Sequence, residues 1–146
     1  MSTSTRTVVQ SLLHRLGHGD AEEIGALFAD HVDWKLSWPK TEHGRPDTPW
    51  IRERATPAEA AAHFQALAEH HIPEQAATEV ETVLVDGDDA VVLGEIRQTA
   101  RSTGRAYQAR FALHLSVKNG LITRYHVYED SLAVAQAFAQ EDAVSR

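Results

Sequence analysis

Glu129 ends the run Ile122 to Glu129, and in an extended chain Thr123, Tyr125, Val127 and Glu129 would share one side. A carboxyl group on an apolar side loses water, which favours its protonated form and suits proton transfer near neutral pH. The bland alternative is a strand-end glutamate in water or paired with an arginine. His63 lies beside the Phe64/Leu67 stripe and is read as a proton partner for Glu129 or a donor to substrate; its alternative is a structural helix histidine. Tyr125 and Gln98 complete the inward polar set and, with His63, are the groups expected to hold a developing oxyanion. Trp34, Trp38 and Tyr125 offer flat surfaces for a polycyclic ligand, or plain core packing. Trp50 either closes over ligand or anchors its loop. Asp130 reads as a helix cap.

The nine histidines raise the question of a metal. His14 and His18 have helical spacing, but Gly17 and Gly19 fray that turn; His70 and His71 are adjacent and cannot share one face. No His-Glu-x-x-His pattern occurs. No metal and no cofactor are expected.

The elements that position these residues follow from periodicity. Val8, Val9, Leu12, Leu13 and Leu16 repeat at helical spacing, and Gly17 and Gly19 stop that helix. Asp20 caps a short second helix carrying Ile24, Leu27 and Phe28. Val32, Trp34, Leu36 and Trp38 alternate with polar residues, as in a half-buried strand. The stretch from Pro39 to Thr56 is a long loop, of a length often used as a lid. Thr56-Pro57-Ala58-Glu59 starts a helix that runs to about His71 and stops before Pro73.

The remainder is strands. Val80, Thr82 and Leu84 lead to the turn Asp86-Gly87-Asp88-Asp89; residues 90–99 follow; Lys118-Asn119-Gly120 joins the last two strands. Phe111, Leu113, Leu115 and Val117 point inward by alternation. If Thr103-Gly104 is a two-residue turn, Phe111 lies opposite Ile96. Gly94, Ile96 and Gln98 then point inward, while Glu95, Arg97, Arg110 and His114 form a charged outer face or a dimer contact. Asp130 or Ser131 caps a final helix with Leu132, Val134, Ala135 and Phe138. Helices followed by a run of strands imply one α+β domain over 1–146, with helices on one face of an antiparallel or mixed sheet.

Composition excludes several classes. The 146 residues suffice for one core without staples, and with no cysteine there are no disulfides or thiolate metal sites. A net charge of -7 argues against nucleic acid or anionic membrane as a general partner. No segment has the length of a signal peptide's apolar run or of a membrane span, so a cytoplasmic protein is expected.

The stretches "FADHVDWKLSWP" (28–39), "TPWIRERATPAEAAAHFQAL" (48–67), "VLVDGDDAVVLGE" (83–95) and "STGRAYQARFALHLSVKNGLITRYHVYEDSLAV" (102–134), in this order, resemble the SnoaL-like branch of the nuclear transport factor 2 superfamily. The resemblance implies a cone: a curved sheet wrapped by three to four helices around one pocket, with a homodimer through the outer sheet face. It implies a polyketide cyclase, a steroid isomerase, an epoxide hydrolase or a non-catalytic subunit, so fold alone does not decide function. The chain departs from the pattern at three positions. Family cyclases and epoxide hydrolases carry an acidic residue two positions before Glu129, where this chain has Val127. The epoxide hydrolases' Arg and Asp fall at Gly94 and Ile96, which disfavours that chemistry.

The expectation is therefore a cofactor-free cyclase or isomerase acting on a hydrophobic polyketide-type metabolite. Glu129, His63 and Tyr125 would be catalytic, and Trp34, Trp38, Trp50, Phe64, Gln98, Phe111, Leu113 and Val127 would line the pocket. The alternatives are a binding or carrier protein, an epoxide hydrolase-like or epoxide-opening enzyme, and a structural subunit whose cavity is filled by its own side chains.

Overall fold

A computed structural model describes residues 4–18 and 20–139. Helix α1 (Thr5–His18) buries Val8, Val9 and Leu12 on one stripe, while Leu16, read as part of that stripe, is 40% exposed at its far end. The helix stop assigned to Gly19 lies outside the described residues, as does the His18 side chain of the suggested histidine pair. Helix α2 (Ala21–Gly25) starts where expected: the Asp20 carboxylate accepts the Glu23 N–H at 2.8 Å. It ends earlier than the apolar stripe suggested, and Phe28 already belongs to strand β1 (Phe28–Leu36).

Helix α3 (Pro57–His70) begins at the predicted signal. The Thr56 hydroxyl accepts the Glu59 N–H at 3.2 Å, and Glu59 reaches back to the Ala55 N–H at 2.9 Å. This departs by one residue from a capping box, in which the returning bond goes to the cap's own N–H. Between β1 and α3 the 37–56 loop holds only one short helical turn, Lys40–Glu42.

Strands β2 (Ala77–Asp86), β3 (Asp89–Thr99), β4 (Ala106–Lys118) and β5 (Leu121–Glu129) form an antiparallel meander, and β1 joins its end parallel to β5. The sheet order is β1-β5-β4-β3-β2, five strands, with α4 (Ser131–Phe138) following β5. The β4–β5 turn is the expected hairpin: Lys118 pairs with Leu121, and Asn119 and Gly120 adopt φ of 52° and 77°.

Two register details correct the alternation argument. Phe111 lies opposite Gly94, not Ile96, because the β3–β4 connection spans residues 100–105 rather than two residues. The shift is even, so Gly94, Ile96 and Gln98 still share a face with Phe111. Thr123 was expected on the same side as Tyr125, but a bulge between Ser116 and Val117 changes the register; Ile122 is fully buried while Thr123 is half-exposed. In β2, Val83 and Val85 pack on the core, and Val80 and Leu84 are exposed.

Two apolar clusters result. The body of the domain packs Phe28, Trp34, Phe64, Leu113, Leu115 and Tyr125 against α1 and α3. A second cluster closes one end with Trp38, Trp50, Ile51, Ala109, Val134 and Phe138, so the long loop and α4 together cap the sheet. Among the described residues no helix is long and apolar enough to cross a membrane.

Candidate functional site

Glu129 sits at the seam of the two clusters. It is the last residue of β5, opposite Phe111, and its backbone N–H donates to the Ser37 hydroxyl at 3.1 Å, which ties it to the end of β1. The Trp38 indole N–H donates to Glu129 Oε2 at 3.2 Å. The residue keeps some exposed surface, but its carboxyl is crowded by protein atoms. Loss of water raises its pKa; the Trp38 hydrogen bond opposes this, and the neighbouring Asp130 charge adds to it. Among the described residues no lysine, arginine or histidine forms an ion pair with Glu129.

Two tyrosines feel that charge. Burial, then the Glu129 carboxylate, push the phenols of Tyr125 and Tyr107 above their ordinary value of 10, so both remain neutral donors. Tyr125 stacks on Trp34 with ring centroids 4.3 Å apart and meets Phe64 edge-on. These rings fill the body of the domain with contacts characteristic of a packed core.

His63 is buried in the same cluster, edge-on to Trp34 at 4.9 Å and to Phe64 at 5.0 Å. Burial, reinforced by the nearby Arg54 charge and opposed by the Trp50 backbone, pulls its pKa from 6.5 to about 3. His63 is therefore a neutral imidazole at physiological pH and does not arrive as an acid. Its Nδ1 has no hydrogen-bond partner, and neither does the Trp34 indole N–H.

The predicted residues thus separate. Glu129, Trp38 and Tyr125 come together; Trp34, His63 and Phe64 continue on the far side of Tyr125. Leu113 is buried, and Phe111 and Val127 pack partly against that core. Trp50 meets Phe138 and the rings of His70 and His71 in the cap. Gln98 lies apart, at the end of β3, in a chain that sequence reasoning missed.

That chain runs from Leu67 through His71 and Tyr107 to Gln98. His71 Nδ1 lies 2.8 Å from the Leu67 carbonyl, its Nε2 lies 2.6 Å from the Tyr107 hydroxyl, and that oxygen is 2.7 Å from the Gln98 amide. A carbonyl only accepts, so Nδ1 carries the proton; burial lowers the ring's pKa and keeps it neutral, leaving Nε2 to accept from Tyr107. Gln98 must then turn its NH2 group toward Tyr107, since the phenol has one proton to give. Tyr107 was legible: it has the inward parity of Ala109 and Phe111. His71 carried no signal beyond its neighbour His70.

Two hollows open on the surface. One of about 340 Å³ is lined by Gln75, Arg97, Gln98, Thr99, Tyr107 and Gln108 among others. The other, about 360 Å³, includes Asp33, Asp89, Ser116 and Arg124 on the outer sheet face. Neither is lined by Glu129, His63 or Trp34. Among the described residues no group of His, Asp and Glu is arranged to hold a metal ion.

Gly94 bears on the epoxide-opening alternative. A Cβ there would press into the Glu79 carbonyl oxygen and lie 2.9 Å from the Phe111 ring. β2 therefore crosses too close for any side chain, let alone a catalytic arginine.

Comparison with known proteins agrees with this architecture. An NTF2-like protein from Burkholderia thailandensis superposes with a TM-score of 0.78 at 20% identity, over 94% of this chain and 99% of that one. A candidate isomerase from Rhodopseudomonas palustris gives 0.69 at 21% identity, over 96% and 100%. TerC, co-crystallised with polyporic acid, gives 0.74 at 15% identity, over 93% and 98%. Identities this low establish the shared fold and no more. No curated protein matches the chain significantly. The SnoaL-like domain profile matches residues 9–125, most of the described chain, and so the chain belongs to the SnoaL-like family, on an NTF2-like fold.

Proposed function

We propose that the chain is an enzyme of the cyclase or isomerase type that moves a proton on a hydrophobic, polyketide-like ketone. The observation that carries this reading is Glu129: a desolvated carboxyl with a raised pKa, an indole donor and, among the described residues, no ion-paired cation. A structural glutamate at a strand end would be solvated or ion-paired; a carboxyl kept this way is poised for general acid–base work. The carboxylate takes a proton from the carbon next to a carbonyl, and the C–H electron pair moves onto oxygen as an enolate. The resulting acid returns the proton to a second carbon or to the same one. Tyr125, neutral and within the electrostatic reach of Glu129, is the donor assigned to the developing charge. Protein side chains suffice for each of these steps. Substrate reaches Glu129 by parting the cap made by the 37–56 loop and α4, because Trp38, Trp50 and Phe138 now close that end.

A ligand carrier on the same scaffold is the second reading, favoured by Val127 and Gly94 standing where family enzymes hold polar groups. TerC's co-crystallisation with polyporic acid is compatible with either. Deuterium uptake from heavy water at the carbon between the ring and the carbonyl of 2-tetralone separates them. The enzyme reading expects wild type to accelerate uptake and Glu129→Gln to lose at least about a hundredfold of that acceleration. Binding without acceleration by either protein would leave the carrier.

A further inference from the structure

The last carbonyls of α4 are met from outside the helix. The final turn of any helix leaves its carbonyls without partners within it. In α4 the β3–β4 turn supplies them. The Thr103 hydroxyl donates to the Ala137 carbonyl at 2.5 Å. Arg105 Nη1 donates to the carbonyls of Gln136 and Ala139 at 2.7 and 2.8 Å. The guanidinium thus lies at the helix end that favours a positive charge. The turn that carries these donors is itself braced. Gly104, at φ 74°, donates its N–H to the Ala100 carbonyl at 2.8 Å, and the Ala100 N–H donates to the Arg105 carbonyl at 2.9 Å.

The two halves of the cap are held differently. The 37–56 loop is tied by its own backbone: the Ala55 carbonyl accepts the Val32 N–H of β1 at 2.8 Å, and the Ile51 carbonyl accepts the Gly44 N–H at 2.9 Å. Thr48, Trp50 and Ile51 are buried within it. Helix α4 has 8 residues, too few for a helix to stand alone. Its start is fixed. The Asp130 N–H donates to the Arg110 carbonyl at 3.2 Å, and the Asp130 carboxylate accepts the Ala133 N–H at 3.1 Å. Beyond that point, among the described residues, the hydrogen bonds joining α4 to the rest of the chain come from Thr103 and Arg105. Hydrogen bonds formed near water are weak restraints, so α4 can open at less cost than the whole fold.

We propose that α4 is the moving half of the cap, pivoting after Asp130 and latched shut by Thr103 and Arg105. What this door serves rests on the reading of Glu129 as proton carrier; its motion does not. Phe138 is the plug. It is 1% exposed, with its ring edge-on to Trp50 at 4.8 Å and to His71 at 5.1 Å. Withdrawing it uncovers the cluster that holds Trp38, the donor to Glu129. The pivot leaves the carboxyl in place, because the Glu129 N–H stays on Ser37 and the Asp130 N–H stays on Arg110. A lid of this kind admits a ligand and then shuts water out.

The chain has no cysteine, so an introduced one is its only thiol. Val134→Cys on α4 and Val92→Cys in β3 each replace a side chain at most 2% exposed. A thiol this deep reacts with dithiobis(nitrobenzoate) only when its surroundings open. Each rate is divided by that of the same thiol in unfolded protein. The expected result is labelling of Val134→Cys at least about tenfold faster than of Val92→Cys. Adding Thr103→Val and Arg105→Met should speed Val134→Cys by a further factor of about ten or more and leave Val92→Cys unchanged. Adding Glu129→Gln should leave the labelling of Val134→Cys as it is while abolishing proton exchange, so the door and the acid–base reading fail separately. Equal rates for the two thiols would mean that α4 opens only with the whole fold. Latch substitutions that leave Val134→Cys unchanged would make the loop the moving half. Latch substitutions that speed both thiols alike would make the turn a support of the whole domain. Each of these three results overturns the proposal.

Discussion

At the scale of single residues, two buried titratable groups are perturbed in the direction their burial dictates, and each has a pH consequence. The Glu129 carboxyl is raised above its ordinary value of 4.5, so the folded state binds its proton more readily than the unfolded state. Its contribution to stability is fully present below 4.5 and is lost as pH rises through the folded value. Glu129→Gln, which cannot ionise, should therefore melt higher than wild type at neutral pH. The gap should close below about pH 4.5, and paired melting curves across pH measure it. His63 behaves in the opposite way. Its pKa is pulled from 6.5 to about 3, so its contribution is present above 6.5 and disappears as pH falls toward 3. His63→Phe should flatten the acid limb of the stability curve between those values; an acid limb as steep as wild type's would contradict a buried neutral imidazole.

Elements place these residues through close approach as much as through periodicity. Gly94 lets β2 cross where any Cβ would meet the Glu79 carbonyl and the Phe111 ring. Gly94→Ala should lower stability by about 1–3 kcal/mol, the usual cost of overpacking, read as a fall in the denaturant midpoint at unchanged slope. The bulge between Val80 and Thr82 sits beside that crossing. Much of this layer was readable in advance: the Thr56-Pro57 helix start, the Asn119-Gly120 hairpin and the inward parity of Phe111, Leu113 and Leu115 all follow from local chemistry. Thr123 was misplaced because one extra residue at a bulge turns a strand over, and nothing local marks that residue.

For the whole molecule, the outer sheet face is the surface still without a covering layer. Leu84, Val91, Leu93, Ala112 and Tyr128 form its apolar stripe, with Tyr128 54% exposed and Leu84 56% exposed. Around it lie the Asp33–His126, Asp33–Arg124 and Asp89–His114 pairs at 3.0–3.4 Å. We propose that two copies meet here. Sedimentation should show a dimer for wild type and a monomer for Ala112→Arg, whose charge falls in the middle of the stripe, with the fold retained by circular dichroism. A dimer that survives the substitution would place the interface elsewhere.

The local order of the chain determined which elements form, several of their caps and turns, and the core-facing side of β4, because these depend on residues a few positions apart. It also singled out Glu129, since strand parity reaches the end of β5. Tertiary structure alone decided that Trp38 would donate to that carboxyl, and that His71 would close a chain with Tyr107 and Gln98. The same holds for the edge-on contact of His63 with Trp34. Those contacts join segments far apart in sequence. A buried polar atom reveals its partner, or its want of one, only when the surfaces that exclude water from it have come together.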